Sequence, residues 1–557
     1  MERSKTIAIV GAGLSGLASL KSALENDMMP TLFEKSDDIG GAWSSSTSGL
    51  MWDTLHTNVS KYTCMFSDFM WRPEHLQDAN QDYFPSQKDV YRYFLDYTNH
   101  FNLKPYIKFN CKVTNIKKQH QQEQQFIIEY EDNNNSNNNK KKTVMFDYVI
   151  IASGIFSEGM IPKIEGADSF NGLAMHSADY RNAKPFEGMR VAVVGSSSSG
   201  SEIASDLVNS SLVKEVTTFA RTNIFIIPKS VKTANRSYKV PFDYVSFSRK
   251  RYYEDNRSTP EKNRAKQAFI ASVSTQQDIE ETKVRSSPEL PLFVGLSDDF
   301  ISLIRSQHIK YINTTINRIE GNKLYYNQPI YNNSNNNNND NNNSNDDNDI
   351  KKEKKETTVE VDAIIYCTGY YVNLEYLDKE ILDAIEFDRS HKIQPILAYN
   401  TVFPRGVDGL AFVGMYRGPY FGVCELQARW ATGVFSGNVK APTTEEIAAG
   451  VELERAIRND KNQPQFPHSD YVAFSDLIAK SIGVLPDFNE LQKQQQHQAE
   501  EQKETTTGSS ETTKTHLYKM IWDGFFIPPT FRLYGLGSNY KEAVANIEEI
   551  NNLFTNR

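Results

Sequence analysis

The chain has 557 residues and a formal net charge of −9, so it is too long for one core and lacks the basic field that nucleic acid or an anionic membrane surface requires. Its cysteines, Cys64, Cys111, Cys367 and Cys424, lie far apart with no zinc-type or C-x-x-C spacing, so no metal site is expected and free thiols in a reducing cytoplasm account for them. No run of eighteen apolar residues occurs and the MERSK start passes directly into a strand-like segment, so neither a transmembrane anchor nor a signal peptide is expected.

The run TIAIV at 6 to 10 predicts a buried strand, Gly11, Gly13 and Gly16 follow in G-x-G-x-x-G spacing, and SGLASLKSALEN predicts a helix. That motif is weak alone and specific in this setting. Glycine permits the tight turn and the close approach of backbone to a pyrophosphate, and the helix N-terminus turns N–H groups toward the anion. Glu34 ends the next strand 23 positions after Gly11, near the ~20-residue spacing at which an acid accepts from a ribose diol. Gly11, Ala12, Gly13, Leu14, Ser15, Gly16 and Glu34 are therefore expected to hold a dinucleotide. In DDIGGAW, Gly40 and Gly41 permit the chain to pass close to the same cofactor, Gly41 and Ala42 are expected to contact it, and Trp43 either covers its apolar face or is plain core.

Strand-like YIKFNCKVTNI (106 to 116) and FDYVIIASG (146 to 154) follow, and then the pattern repeats. RVAVV (190 to 194) leads into Gly195, Ser197, Ser199, Gly200 and Ser201 at the mouth of a second helix, with Ser197 standing for the middle glycine. HIKYINTTINRI (308 to 319) and VDAIIYCTG (361 to 369) then match the later strands in the same order. Arg221 lies 26 positions after Gly195, where an NAD site would carry an acid; an arginine there suits a 2′-phosphate, so NADP(H) is the expected second ligand.

Three stretches, 132 to 142, 332 to 357 and 491 to 514, are rich in Asn, Asp, Gln, Ser and Thr and are expected to be solvated, disordered insertions. In ELQARW, Glu425 and Arg429 stand at i and i+4 of an expected helix, where they could pair.

Between the two Gly-rich turns, FNGLAMHSADY places Phe170, Gly172, His176 and Tyr180 in the spacing F-x-G-x-x-x-H-x-x-x-[YF], which resembles the identifying motif of the flavin-containing monooxygenases. The segments at 53 to 69, 83 to 97, 425 to 437 and 528 to 543 also resemble that family, and Cys367-Thr368-Gly369-Tyr370 resembles its A-T-G-Y element. A Baeyer–Villiger enzyme would carry Trp where Tyr180 stands, and a flavin disulfide reductase would need a redox cysteine pair. Ser60 and the absence of a C-terminal hydrophobic anchor depart from the animal members.

The resemblance implies an α/β fold of two doubly wound, Rossmann-like dinucleotide-binding domains, with an NADP domain (186–361) inserted into an FAD domain (1–185 and 362–557). It also implies FAD reduction by NADPH and capture of dioxygen as a C4a-hydroperoxide that oxygenates a soft nitrogen or sulfur nucleophile, as in N,N-dimethylaniline monooxygenase activity. Asn58, with Thr57 beside it, resembles the asparagine that faces the flavin and the retained nicotinamide, and is the expected catalytic residue. His56 has only proximity to recommend it. His176 and Tyr180 are expected to fix the connection between the sites, Phe170 to pack, and the helix of Glu425, Gln427 and Arg429 to close over the flavin. The expected partners are the small nucleophile, dioxygen and, for assembly, a second copy of the chain. A peroxide-producing NADPH oxidase and a non-catalytic flavoprotein are the alternatives.

Overall fold

In a computed structural model, the described residues are 4–555, apart from 46–48, 77–82, 120–124, 135–140, 234–235, 285–286, 288–289, 329–354, 469 and 494–513. Two parallel five-stranded sheets organise the chain. The first runs in the order Leu410–Phe412, Tyr148–Ile151, Thr6–Val10, Met29–Phe33, Ile107–Lys108. The second runs Ile309–Ile312, Glu215–Phe219, Arg190–Val194, Ala363–Tyr366, Leu173–His176.

The continuous apolar character of the central strands follows from burial on both faces. Side chains alternate across a strand, so Ile7 and Ile9 enter one core while Ala8 and Val10 enter another, and Val191 and Val193 are likewise separated from Ala192 and Val194. The first strand of each sheet leads to its helix, Leu14–Glu25 or Ser198–Asn209. Helix Tyr420–Ser436, buried along most of its length, packs against Leu14–Glu25, and Lys5 donates to the carbonyls of Phe435 and Ser436 at its C-terminal end (3.0 and 2.8 Å).

The second sheet takes Leu173–His176 and Ala363–Tyr366, which lie on either side of the 186–361 span read from the sequence. The two passages of the chain between the sheets pair with each other, Glu158–Gly159 antiparallel to Tyr370–Tyr371. Each half also carries a three-stranded antiparallel meander: Cys111–Gln119, Gln125–Asp132 and Lys141–Phe146 in the first, Ile316–Glu320, Lys323–Gln328 and Lys355–Glu360 in the second.

These meanders correct the reading of the low-complexity stretches at their flanks. Asp132, Lys141 and Lys142 belong to strands, and so do Lys355, Glu356 and Thr357, because ladder hydrogen bonds need backbone rather than apolar side chains. Leu491 is buried and Lys514 begins the helix Lys514–Trp522. The remainder of those stretches lies largely outside the described residues. Among the described residues no helix is long and apolar enough to cross a membrane, and all four cysteines are buried free thiols.

Candidate active site

The two Gly-rich turns are built alike. Gly11 has φ +103°, donates to the Phe33 carbonyl at 2.8 Å, and a Cβ there would stand 2.7 Å from the Ala152 carbonyl oxygen; a Cβ on Gly16 would stand 1.7 Å from the Gly11 carbonyl oxygen. Gly195 has φ +113° and donates to Phe219 at 2.8 Å. Its Cβ would meet the Cys367 oxygen at 2.4 Å, and that of Gly200 the Gly195 oxygen at 1.9 Å. Strand, turn and helix can therefore close only without side chains at these four positions. The middle position differs: Gly13 and Ser197 share extended backbone, φ −79° and −74°, so serine is accommodated there without strain.

Both turns open on one cavity of about 2470 Å³, more than twice the upper end of the ~300–1,000 Å³ common for a site holding one drug-sized ligand. Neither helix has a side-chain cap at its N-terminus, which leaves first-turn N–H groups for an anion. Of the expected residues, Gly11, Gly13, Leu14, Ser15, Glu34, Gly41, Ala42, Trp43, Thr57, Asn58, Gly195, Ser197, Ser199 and Arg221 line it.

Ala12, Gly16, Gly200 and Ser201 stand behind that lining. Gly16 and Gly200 face the turn behind them. Ala12 donates its N–H to Glu34 Oε2 at 2.7 Å, and the fully buried Ser201 turns its hydroxyl back to the carbonyls of Ser197 and Ser198. Glu34 also accepts from the N–H and hydroxyl of Ser36 at 2.9 and 2.7 Å, so it holds the turn while standing in the wall. Trp43 lines the cavity and packs against two cores.

Thr57 and Asn58 come from the loop that follows. Thr57 Oγ1 and Asn58 Oδ1 are buried and, among the described residues, have no hydrogen-bond partner, an arrangement that costs about 1–3 kcal/mol per group unless a ligand supplies one. Neighbouring Ser60 donates its N–H (3.0 Å) and hydroxyl (2.7 Å) to Asp243, which also accepts from Thr63 at 2.6 Å. Asp243, on the short helix Phe242–Ser246, is buried in the cavity wall, and burial raises its pKa against these donors. Sequence reasoning missed it, because PFDYV carries no motif and the partners are more than 170 positions away. His56 also lines the cavity; burial and then Lys229 lower its pKa, and Nδ1 sits 2.9 Å from the Thr54 carbonyl oxygen.

At the other turn, Arg221 is exposed to the cavity and faces Lys392, whose pKa is lowered by burial and then by Arg221. Arg417 holds the Lys392 segment through the carbonyls of Lys392 and Ile393. Two cations thus line one region of the cavity where sequence showed one.

Glu425 and Arg429 do not pair as their spacing suggested. Glu425 accepts from Ser67 (2.6 Å from N, 2.5 Å from Oγ) and from Arg532 at 2.7 Å, whereas Arg429, its pKa lowered to about 10 by burial, donates to the carbonyls of Phe531 and Leu536. Tertiary donors outbid the neighbour on the helix. Tyr180 is fully buried and donates to Asp206, His176 stands edge-on to Tyr370 at 4.9 Å, and Phe170 packs in the second sheet's core.

The comparisons fit this geometry. Residues 4–260 and 345–502 match the family described as "Flavin-binding monooxygenase-like". Dimethylaniline monooxygenase [N-oxide-forming] 4 of Homo sapiens is 26% identical over 502 residues, covering 87% of this chain and 80% of the relative. Flavin-containing monooxygenase 5 of Oryctolagus cuniculus is 27% identical over 501 residues, covering 87% and 84%. Among solved structures, S-allyl-L-cysteine S-oxygenase from Allium sativum superposes with a TM-score of 0.58 at 18% identity over 99% of both chains. Cyclohexanone monooxygenase from Rhodococcus sp. Phi1 bound to NADP+ gives 0.59 at 15%, over 86% of this chain and 98% of that one. Two glycine turns of one geometry, two sheets and one shared cavity agree with the match: the chain belongs to the flavin-binding monooxygenase-like family, oxidoreductases that use FAD and NADP(H).

Proposed function

We propose that the protein oxygenates a soft nitrogen or sulfur nucleophile at the expense of NADPH and dioxygen, and that it does so in the cytoplasm. The observation that carries this is the pair of buried, unpartnered acceptors, Thr57 Oγ1 and Asn58 Oδ1, in the wall of the one cavity onto which both dinucleotide turns open.

Bound FAD supplies the hydride acceptor and the activation of dioxygen, and NADPH the hydride. The chain's part is position and exclusion. The first turn, with Glu34 behind it, seats one pyrophosphate; the second, with Arg221 and Lys392 in the cavity wall near it, seats the nucleotide bearing a 2′-phosphate. Asn58 offers an amide that donates and accepts without changing charge, a property suited to holding a reactive oxygen without protonating it. Asp243 braces that loop through Ser60. Support for the N and S class comes from relatives whose names specify N-oxide formation and S-oxygenation.

The test is stoichiometry. With NADPH and either dimethylaniline or a simple thioether, oxygenated product should form nearly one for one with NADPH consumed. NADPH consumption matched by hydrogen peroxide alone, whichever nucleophile is added, would make the protein an oxidase instead.

A further inference from the structure

One wall of the cavity is not used by either dinucleotide turn. It is formed by the helices Arg249–Tyr253 and Thr259–Ser274 with the segment leading into the helix Tyr471–Ser481. Its place is fixed by a chain of contacts. One turn beyond Lys266, Phe269 stacks on Phe242 at 6.1 Å; Asp243, next to Phe242, accepts from Ser60; and Ser60 lies two residues beyond Asn58. The wall therefore flanks the reacting end of the cavity.

Its composition is unusual for an acidic protein. Lys266 and, one turn earlier on the same face, Lys262 line the cavity, as does Arg251. Among the described residues none of the three side chains has a hydrogen bond or an ion pair within 4.0 Å. The nearby acids are committed elsewhere. Asp255 is held by Arg257 at 2.8 and 2.9 Å, Asp243 by Ser60 and Thr63, and Asp470, which faces Lys266, caps its helix by accepting from the Ala473 N–H at 2.9 Å. Tyr252, Phe269, Phe293 and Phe466, 37–40% exposed, lie among these cations on the same surface. Lys266 and Arg251, exposed, and Lys262, half-buried, stand in the cavity wall without an ion pair and beside uncovered aromatic rings, a surface that suits a ligand with an apolar body and an anionic end.

We propose that this wall binds an anionic group of the substrate, so that the nucleophiles oxygenated here carry a carboxylate or a comparable anion about one side chain's reach from the reacting atom. The consequence for turnover rests on the oxygenation reading; the anion site itself does not.

The probes are 3-(methylthio)propanoate and its methyl ester, which share the thioether and differ in charge. Binding is followed by the perturbation of the oxidised flavin spectrum in holoenzyme saturated with NADP+. The carboxylate should bind at least about ten-fold more tightly than the ester, and the gap should narrow with added salt. Lys266→Ala and Arg251→Ala should each reduce the gap, and Lys266→Arg should restore it; FAD content and melting temperature check that the variants are folded.

Equal affinity of the two probes, or a gap that survives both alanine variants, overturns the proposal. So does a loss of NADP+ affinity in those variants with no change in the probe gap, which would give the cations to the dinucleotide. Sulfoxide analysis separates the two readings. A charge gap without sulfoxide from either probe removes the oxygenation reading and keeps the site, while sulfoxide from both without a gap does the reverse.

Discussion

Replacing Asn58 with Leu removes an amide whose oxygen lies buried and unpaired beside the cavity, and alters none of the glycine contacts that seat the dinucleotides. FAD should stay bound while peroxide released per NADPH rises and product falls by about ten-fold or more. Wild-type coupling in that variant would remove Asn58 from the chemistry. Arg221→Ala should raise KM for NADPH by about ten-fold or more and KM for NADH far less; equal effects would refute a 2′-phosphate contact.

Asp362 accepts from the Arg190 N–H and side chain at 2.7 to 2.9 Å, which holds its pKa at about 2 against 3.8. A depressed folded-state pKa contributes stability that is present above 3.8 and lost as pH falls through about 2. Asp362→Asn should therefore lower Tm relative to wild type by an amount that is full above about pH 4 and closes toward pH 2, read by thermal melts across that range. A gap that does not change with pH would leave the ion pair without effect.

A local motif was enough to place Glu34 and Arg221 in the cavity wall. Asp243 and Arg532 were not legible in this way, because their partners come from remote parts of the chain and no spacing rule reaches that far. Ser201 shows the converse: it sits in the right motif but on the inward side of its helix.

At the level of elements, the two turns permit a paired experiment. Gly16→Ala and Gly200→Ala each place a Cβ within 2 Å of a backbone oxygen, 1.7 and 1.9 Å respectively, and backbone cannot step aside as a side-chain end can. The first should cost FAD retention. The second should weaken NADPH binding while the protein remains yellow. Loss of FAD from the Gly200 variant, with Gly16→Ala unaffected, would show that the two turns have been assigned in the wrong order.

The elements that repeat, strand, turn and helix, were visible in the sequence because burial on both faces makes parallel strands continuously apolar and glycines mark the turns. The third meander strands, Lys141–Phe146 and Lys355–Glu360, were hidden. They are polar and exposed along most of their length, and they are held by the ladder to the preceding strand. Leu173–His176 was concealed in another way, since its motif drew attention to His176 and Tyr180 instead of to its pairing with Ala363–Tyr366.

At the scale of the whole molecule, Arg532 ties distant segments together. It donates to Ser67 Oγ (2.7 Å), Glu425 (2.7 Å), Glu25 (3.3 Å) and the Gly537 carbonyl (2.9 Å), and pairs with Asp68 at 2.9 Å. Asp68, despite its burial, is held below its usual pKa by Arg532 and then Lys21. Arg532→Ala would leave buried carboxylates without their cation, a change worth about 3–5 kcal/mol. A Tm within a degree or so of wild type would contradict that accounting.

The strand Leu410–Phe412, on the edge of the first sheet, also bears on how the protein emerges from the ribosome. The sheet begins with residue 6, yet its last strand and the helix Tyr420–Ser436 that covers Leu14–Glu25 are translated only after every strand of the second sheet has been made. Domains form as units while synthesis proceeds at about 5–20 residues per second, so the inserted half can complete its core while the half begun earlier waits with one face of its sheet edge unpaired. Stalled nascent chains in which residue 366 has left the ribosome and residue 410 has not should accordingly protect the second sheet from protease before the first.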